Sequence, residues 1–351
     1  MIAPLDWGLG HATRCIILIQ CLQRYNCVIS IAASGKVKNL LQQEFPGLSF
    51  IDLPGYAISY SRSKRFLPFK ILLQIPKVLK IIRFENKWLQ DVLKKNRFDA
   101  VISDNRYGFF SKHCPSVFIT HQLKIETNHS LTDKVLQRIN YKYINRFTEC
   151  WVPDLEGKLN IAGNLSHPEK MPAIPVKYIG PLARFEKCTS GNSTFKWLVI
   201  ISGPEPQRSL FEEKIFEAAV KTNDRFLVVR GLPGETAIHN YPSNCQVFNH
   251  LNTADMESAI ASCAFVISRC GYTTVMEMLS VKKRTVFIPT PGQTEQEYLA
   301  AHLLQQKWSY TFNQQDDFSA QLQQADTFDY CLPDIDAHKY EPVIAGFLQS
   351  L

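Results

Sequence analysis

The sequence predicts an α/β protein of two domains, each a doubly wound parallel sheet. Three observations predict it. Short apolar runs alternate with helical patterns along the chain. These runs are apolar almost throughout instead of alternating, as strands covered on both faces are. The rhythm stops once, at a polar stretch over 184–196 rich in Gly, Ser and Thr, and then restarts. That divides the chain into residues 1–183, a linker at 184–196 and residues 197–335, with a last helix over 336–351 expected to return to the first domain.

In the first half, residues 1–4 read as the end of a strand, followed by Gly8 and Gly10 and an apolar helical face, Ile16, Ile17, Ile19 and Leu22, running to Arg24. Strands are expected at 27–33, 48–53, 98–103, 116–120, 150–152 and 177–179, with helices at 37–43 and 131–147. Residues 66–95 depart from this rhythm. They form a long basic amphipathic segment that Pro68 and Pro76 should break or kink. In the second half, strands are expected at 197–201, 225–229, 245–248, 264–267 and 285–288, the last stopped by Pro289 and Pro291. Helices are expected from 207 to about 221, at 253–262 with Asn252 or Thr253 as N-cap, at 272–279, and from Thr294 onward.

Composition narrows the function classes. Hydrophobic residues make up 45% and charged residues 20%, as in a globular protein, and no apolar run approaches the roughly 18 residues of a spanning helix. The start, MIAPLDWGLGHATR, has no basic-then-apolar leader pattern. The ten cysteines form no C-x-x-C pair and have no zinc-like histidine spacing, so they are expected to be mostly buried free thiols in a reducing cytoplasm. The net charge of +7 is concentrated: between Arg62 and Arg97, 11 Lys and Arg face only Glu85 and Asp91, which leaves about −2 for the rest of the chain. This is not the broad basic face of a nucleic-acid binder. It suits contact with an anionic membrane surface, or equally a core-packed helix pair with a solvated basic face.

The candidate chemistry lies at strand ends. Gly8 and Gly10 precede a helix in GLGHATR, where backbone N–H groups can approach a phosphate or sugar. Thr13 takes the place of the third glycine of the dinucleotide fingerprint, so nicotinamide chemistry is not expected. His11 is a general-base candidate, with Asp104 after the fourth strand expected to orient it and raise its basicity. His121 is the rival imidazole. Arg184, Arg208 and Arg230 all follow strands and together would suit a diphosphate; Ser202-Gly203 is a further phosphate-compatible turn. In AFVISRCGYTTVMEML, Gly271 opens a helix with Thr273 and Thr274 in its first turn and Glu277 further on, an anion-favouring helix start with a carboxylate for sugar hydroxyls. Gln296 and Glu297 open the next helix; they are suited to sugar hydroxyls, or simply to helix-start chemistry.

SRCGYTTVME followed by VFIPTPGQTEQEYLAA resembles the C-terminal half of family 28 glycosyltransferases, and GLGHATR resembles their N-terminal glycine loop. The resemblance is strongest over about 50 residues from His250 to Ala301. It implies the GT-B architecture: two Rossmann-like domains with a cleft between them, donor on the C-terminal domain, acceptor on the N-terminal one, no metal and no cofactor beyond the sugar nucleotide. By position it implies that Glu277 binds ribose, that Gly271, Thr273 and Thr274 hold the diphosphate, and that Leu251 and Met256 hold the uracil. Gln296 would read the donor sugar, Arg184 would lie near the donor, and His11 would be the glycine-loop histidine. Glu297 stands where the lipid II-forming member has a second Gln, so the donor sugar differs or is open. The expected activity is that of an inverting, hexosyltransferase-type enzyme moving a sugar from a UDP-linked donor to a hydroxyl acceptor, lipid-linked or of the cell envelope, with the protein cytoplasmic or peripheral on the inner membrane face. GLGHATRC also resembles the loop of a GT-B nucleotide-sugar hydrolase in which a histidine activates water. A non-catalytic nucleotide-sugar sensor is the third reading.

Overall fold

The computed structural model describes all residues except Trp7, 56–66, 126–129, 186–192, 233–234 and 236–240, and the side chains of 67–75 and 130–131. Most of the expected linker, and the basic residues Arg62, Lys64 and Arg65, lie outside the described residues.

The chain forms two compact units, Met1–Arg184 with Asp336–Leu351, and Phe185–Ile335. In the first, β1 (Ile2–Pro4), β2 (Ser30–Ala33), β3 (Ser49–Asp52), β4 (Val101–Asp104), β5 (Ser116–Ile119), β6 (Glu149–Val152) and β7 (Val176–Tyr178) make one sheet. Its order is β3-β2-β1-β4-β5-β6-β7 and every pairing is parallel. The connecting helices are α1 (Leu9–Arg24), α2 (Gly35–Glu44), α3 (Leu67–Lys95) and α4 (Ser130–Ile144). Strands β4, β5 and β6 are buried at every position, and apolar residues fill them except at strand ends, where Ser103, Asp104, Ser116 and Glu149 are buried too.

In the second unit, β8 (Phe195–Ile200), β9 (Phe226–Val229), β10 (Cys245–Phe248), β11 (Cys263–Ser268), β12 (Thr285–Phe287) and β13 (Tyr310–Thr311) form a second all-parallel sheet, ordered β10-β9-β8-β11-β12-β13. Its helices are α5 (Gln207–Ala219), α6 (Thr253–Ser262), α7 (Tyr272–Ser280), α8 (Thr294–Gln305) and α9 (Phe318–Thr327). Trp197, Phe265 and Phe226 stack along the sheet, and Phe211, Ile215 and Phe318 cover it. The chain's last helix, α10 (Tyr340–Gln349), belongs to the first unit. Phe347 meets Trp151 edge-on at 5.3 Å, and Arg24 pairs with Glu341 at 2.6 Å.

Three expectations need correcting. The glycine loop is shorter than expected: Gly8 is the N-cap of α1, so Gly10 and His11 are already in its first turn. Residues 67–95 are one helix that continues through Pro76. Pro68 lies in the first turn, where its missing N–H has no helical partner to lose. Pro76 forfeits one hydrogen bond, but Ile82, Glu85 and Leu89 downstream are buried at helical spacing and anchor the helix against the strands. Finally, β8 begins at Phe195, inside the expected linker, because Phe195 and Trp197 are both core residues.

Candidate active site

Each sheet reverses its winding direction between two neighbouring strands, β1 and β4 in the first unit and β8 and β11 in the second. Open α/β sheets bind ligands at the carboxyl ends of such pairs, because the connections there leave in opposite directions and open a crevice. Several of the residues singled out in the sequence lie at these two points. His11 follows β1 and Asp104 ends β4; Ser202 and Gly203 follow β8 and Gly271 follows β11.

In the first unit, His11, Arg14, Asp104 and His121 form one cluster. Asp104 is fully buried, and His11 keeps 17% of its side chain exposed. His11 Nδ1 lies 3.2 Å from Asp104 Oδ1. Arg14 holds the same carboxylate with both arms: Nε donates to Oδ2 at 2.8 Å, and Nη2 donates to Oδ1. Nη2 is also 2.9 Å from His11 Nδ1, and Nη1 is 3.3 Å from His121 Nδ1. The hydrogen bonds of His11 all fall on Nδ1; among the described residues Nε2 has none.

The electrostatics follow from these contacts. Burial opposes ionisation of Asp104, but Arg14 and then His11 outweigh it, holding the carboxyl well below the usual carboxylate range. For His11, burial lowers the value first; Asp104 pulls it back up and Arg14 pushes it down again, leaving it below the ordinary 6.5. The expected contact to Asp104 is therefore made, but the expected rise in basicity is not, because burial outweighs the carboxylate's pull and Arg14 pushes the same way as burial. His11 is neutral at pH 7 and can accept a proton.

In the second unit, Gly271 is the N-cap of α7, with extended backbone at φ −78° and ψ 135°, and no acidic residue lies in the helix's first turn. A Cβ at Gly271 would meet nothing within 4 Å, so neither backbone strain nor packing demands glycine there. Gly203 is different: its φ of +108° requires glycine, although the space around it is also open. Thr273 and Thr274 are half-buried and Glu277 is buried, on the helix that starts at Gly271. Asn252 caps α6, accepting from Asp255 N at 2.9 Å, and places half-buried Leu251 and Met256 beside that cap.

Residues 212–327 match the Glycosyltransferase family 28 C-terminal domain. The second unit therefore carries a family 28 glycosyltransferase domain. An uncharacterized glycosyltransferase of Methanosarcina acetivorans is 25% identical over 319 residues, which cover 84% of this chain and 80% of that one. Among solved structures, MurG of Acinetobacter baumannii superposes with a TM-score of 0.56 at 15% identity, covering 100% of this chain and 99% of the other. Arabidopsis thaliana UGT89C1 complexed with UDP-L-rhamnose gives a TM-score of 0.61 at 11% identity, covering 99% and 93%. The two parallel-sheet units thus have the GT-B architecture of these solved structures.

Within and beside the family 28 domain, several expected site residues are occupied by internal bonds. Arg208 Nε donates to Glu205 at 2.6 Å and its Nη2 pairs with Glu212 at 3.1 Å. Arg230 pairs with Glu212 and donates to Asn249 Oδ1 at 2.9 Å. These two arginines brace α5 against the ends of β9 and β10, with their guanidinium groups held by carboxylates of the same unit. Arg184 is the last residue of the first unit, half-buried. Gln296 Oε1 accepts from Thr290 N at 2.8 Å, and Glu297 Oε1 accepts from Gly292 N at 3.0 Å. The helix-start reading of this pair is therefore realised: both side chains tie down the loop ahead of α8.

Two arginines were missed. Arg14 sits in the quoted motif, but its burial beside Asp104 has no signal in sequence spacing. Arg269, 2% exposed, follows β11; it donates to Gln207 O at 2.8 Å and Gln314 Oε1 at 2.5 Å and stacks over Phe211 at 4.3 Å. Burial lowers its value to about 10. It ties the start of α5 to the residues before Gly271, and so shapes the turn. A groove of about 650 Å3 between α3 and the starts of β2 and β3 lies at the opposite strand ends from His11 and is separate from the candidate site.

Proposed function

We propose that the protein is a metal-independent inverting glycosyltransferase that moves a sugar from a nucleoside-diphosphate donor, UDP-linked, to a hydroxyl acceptor. The observation that carries this reading is a neutral, carboxylate-backed His11 at the winding reversal of the first unit; the second unit has a glycine-capped helix start at its own. In the tautomer with hydrogen on Nδ1, facing Asp104, His11 Nε2 takes the proton of the acceptor hydroxyl. The acceptor oxygen attacks the anomeric carbon from the face opposite the diphosphate, and the bond from that carbon to the phosphate oxygen breaks. Its electron pair leaves on the diphosphate, and inversion follows from the single displacement. The N–H groups and dipole at the start of α7 stabilise the charge on the leaving group, the role a divalent cation plays elsewhere. Glu277 accepts from the ribose hydroxyls, and Leu251 and Met256 flank the base. Structural neighbours are complexed with UDP-L-rhamnose and with thymidine diphosphate, which supports a nucleoside-diphosphate donor; UDP is the choice made from the sequence.

Calorimetry tests the donor half. The protein should bind UDP more tightly than ADP or TDP, and Glu277→Gln should weaken UDP binding by about tenfold, the loss of one charge-assisted hydrogen bond. Unchanged UDP affinity in that variant would remove Glu277 from the site.

The acceptor is proposed to be lipid-linked or part of the cell envelope, with α3 resting on an anionic membrane. Lys77, Lys80, Arg83, Lys87, Lys94 and Lys95 share the exposed side of α3, and Phe84 is 50% exposed among them. No helix among the described residues is long and apolar enough to cross a membrane. Co-sedimentation should show binding to phosphatidylglycerol vesicles, release by about 0.5 M salt, and no binding to phosphatidylcholine vesicles. Equal binding to both vesicle types would refute an electrostatic contact.

A further inference from the structure

We propose that Arg14 is a positioning residue that decides which nitrogen of His11 carries the proton. The inference rests on the reading of His11 as the base and adds a control on it. The geometry is a matter of donor accounting. A guanidinium has five N–H donors and no acceptor. Arg14 spends Nε–H and one Nη2–H on the two oxygens of Asp104. The second Nη2–H faces His11 Nδ1 at 2.9 Å, and Nη1 faces His121 Nδ1 at 3.3 Å.

His11 Nδ1 cannot satisfy both of its neighbours in one protonation state. If Nδ1 carries hydrogen, it donates to Asp104 Oδ1 at 3.2 Å, and Nε2 has the lone pair a base needs. If Nδ1 accepts from Arg14, the hydrogen sits on Nε2, and His11 cannot take a proton from an acceptor. Arg14 is the nearer of the two partners. It therefore populates the base-inactive tautomer in the resting protein, and it opposes the doubly protonated ring, whose Nδ1–H would point at a cation.

The charged and titratable groups facing His11 come from three elements. Arg14 and Cys15 lie on α1, Asp104 ends β4, and His121 follows β5. Cys15 donates to Asp104 Oδ2 at 3.6 Å and, with burial raising its thiol, is neutral. Arg14 is thus the cation that opposes protonation of His11, and Asp104 is the anion that favours it. The consequence for the reaction is a base that holds its proton weakly and returns it readily after transfer.

Nitrogen-resolved NMR on the full-length protein with labelled histidine tests this without relying on turnover; a His11→Gln sample assigns the signal among the nine histidines. In the wild type, neutral His11 should show the Nε2–H tautomer and should titrate below pH 6.5. In Arg14→Gln, the Nδ1–H tautomer should take over and the titration should move up by about one pH unit. Arg14→Lys keeps the charge and should stay closer to wild type. A wild-type His11 held wholly as the Nδ1–H tautomer would overturn the proposal, and this outcome does not depend on Arg14→Gln folding. So would a titration that does not move in Arg14→Gln. If His11→Ala retains full turnover while the Arg14→Gln shift is seen, the base reading fails and the control of His11 by Arg14 stands.

Discussion

Replacing His11 with Ala should lower sugar transfer by about 100-fold or more and leave UDP affinity unchanged. The separation is expected because His11 belongs to the first unit, whereas the groups proposed to hold the nucleotide belong to the family 28 domain of the second. The side chain is partly exposed and is not a core element, so the variant should fold. In the wild type, kcat/KM should fall as pH drops, with its midpoint below 6.5. The sign follows from the shift. A depressed histidine is neutral through pH 7 and loses its base function only as pH falls through its folded value. Folding stability follows the same direction: the unfolded chain protonates His11 from about pH 6.5 downward, before the folded chain does, so stability is lost over that window. Transfer by His11→Ala at near wild-type rates would remove the base from the mechanism.

Gly271→Asp should abolish most donor binding without harming the fold. The position has extended backbone and empty space where a side chain would stand, so Asp enters without strain. At an N-cap, Asp is at least as good as Gly, and thermal stability should hold or rise slightly. Its carboxylate, however, satisfies the first N–H groups of α7 and puts a negative charge where the diphosphate is proposed to lie. UDP affinity should fall by about 100-fold. Gly271→Ala, which adds volume without charge, should cost far less. If Gly271→Asp binds UDP as the wild type does, the start of α7 is not the diphosphate site.

How much of this was legible in the sequence depends on the kind of interaction. Buried parallel strands read clearly, because β4, β5, β6 and β11 are apolar runs bounded by polar turns. Helix α9 escaped notice although its signals were present: Phe318, Leu322 and Ala325 at helical spacing, with Asp317 capping Ser319 N at 3.0 Å. Strand β13, two residues at the sheet edge, is too short to carry a period. The pairing of His11 with Asp104 was legible because both follow strands that the winding order brings together. The intervention of Arg14 was not, since nothing in a helical arginine's spacing says that it turns inward onto a carboxylate 90 residues away. The same limit hid the pairing of Arg208 and Arg230 with Glu212, a helix residue that looked like ordinary surface charge.

Nucleotide release from a panel of UDP-sugars, measured with and without membrane extract, tests the central claim most directly. A transferase with a lipid-linked or envelope acceptor should release UDP from one donor only when extract is present, and the sugar should appear on a component of the extract. Equal release in the absence of extract would contradict transfer and make water the acceptor, and tight UDP binding with no release under either condition would contradict catalysis.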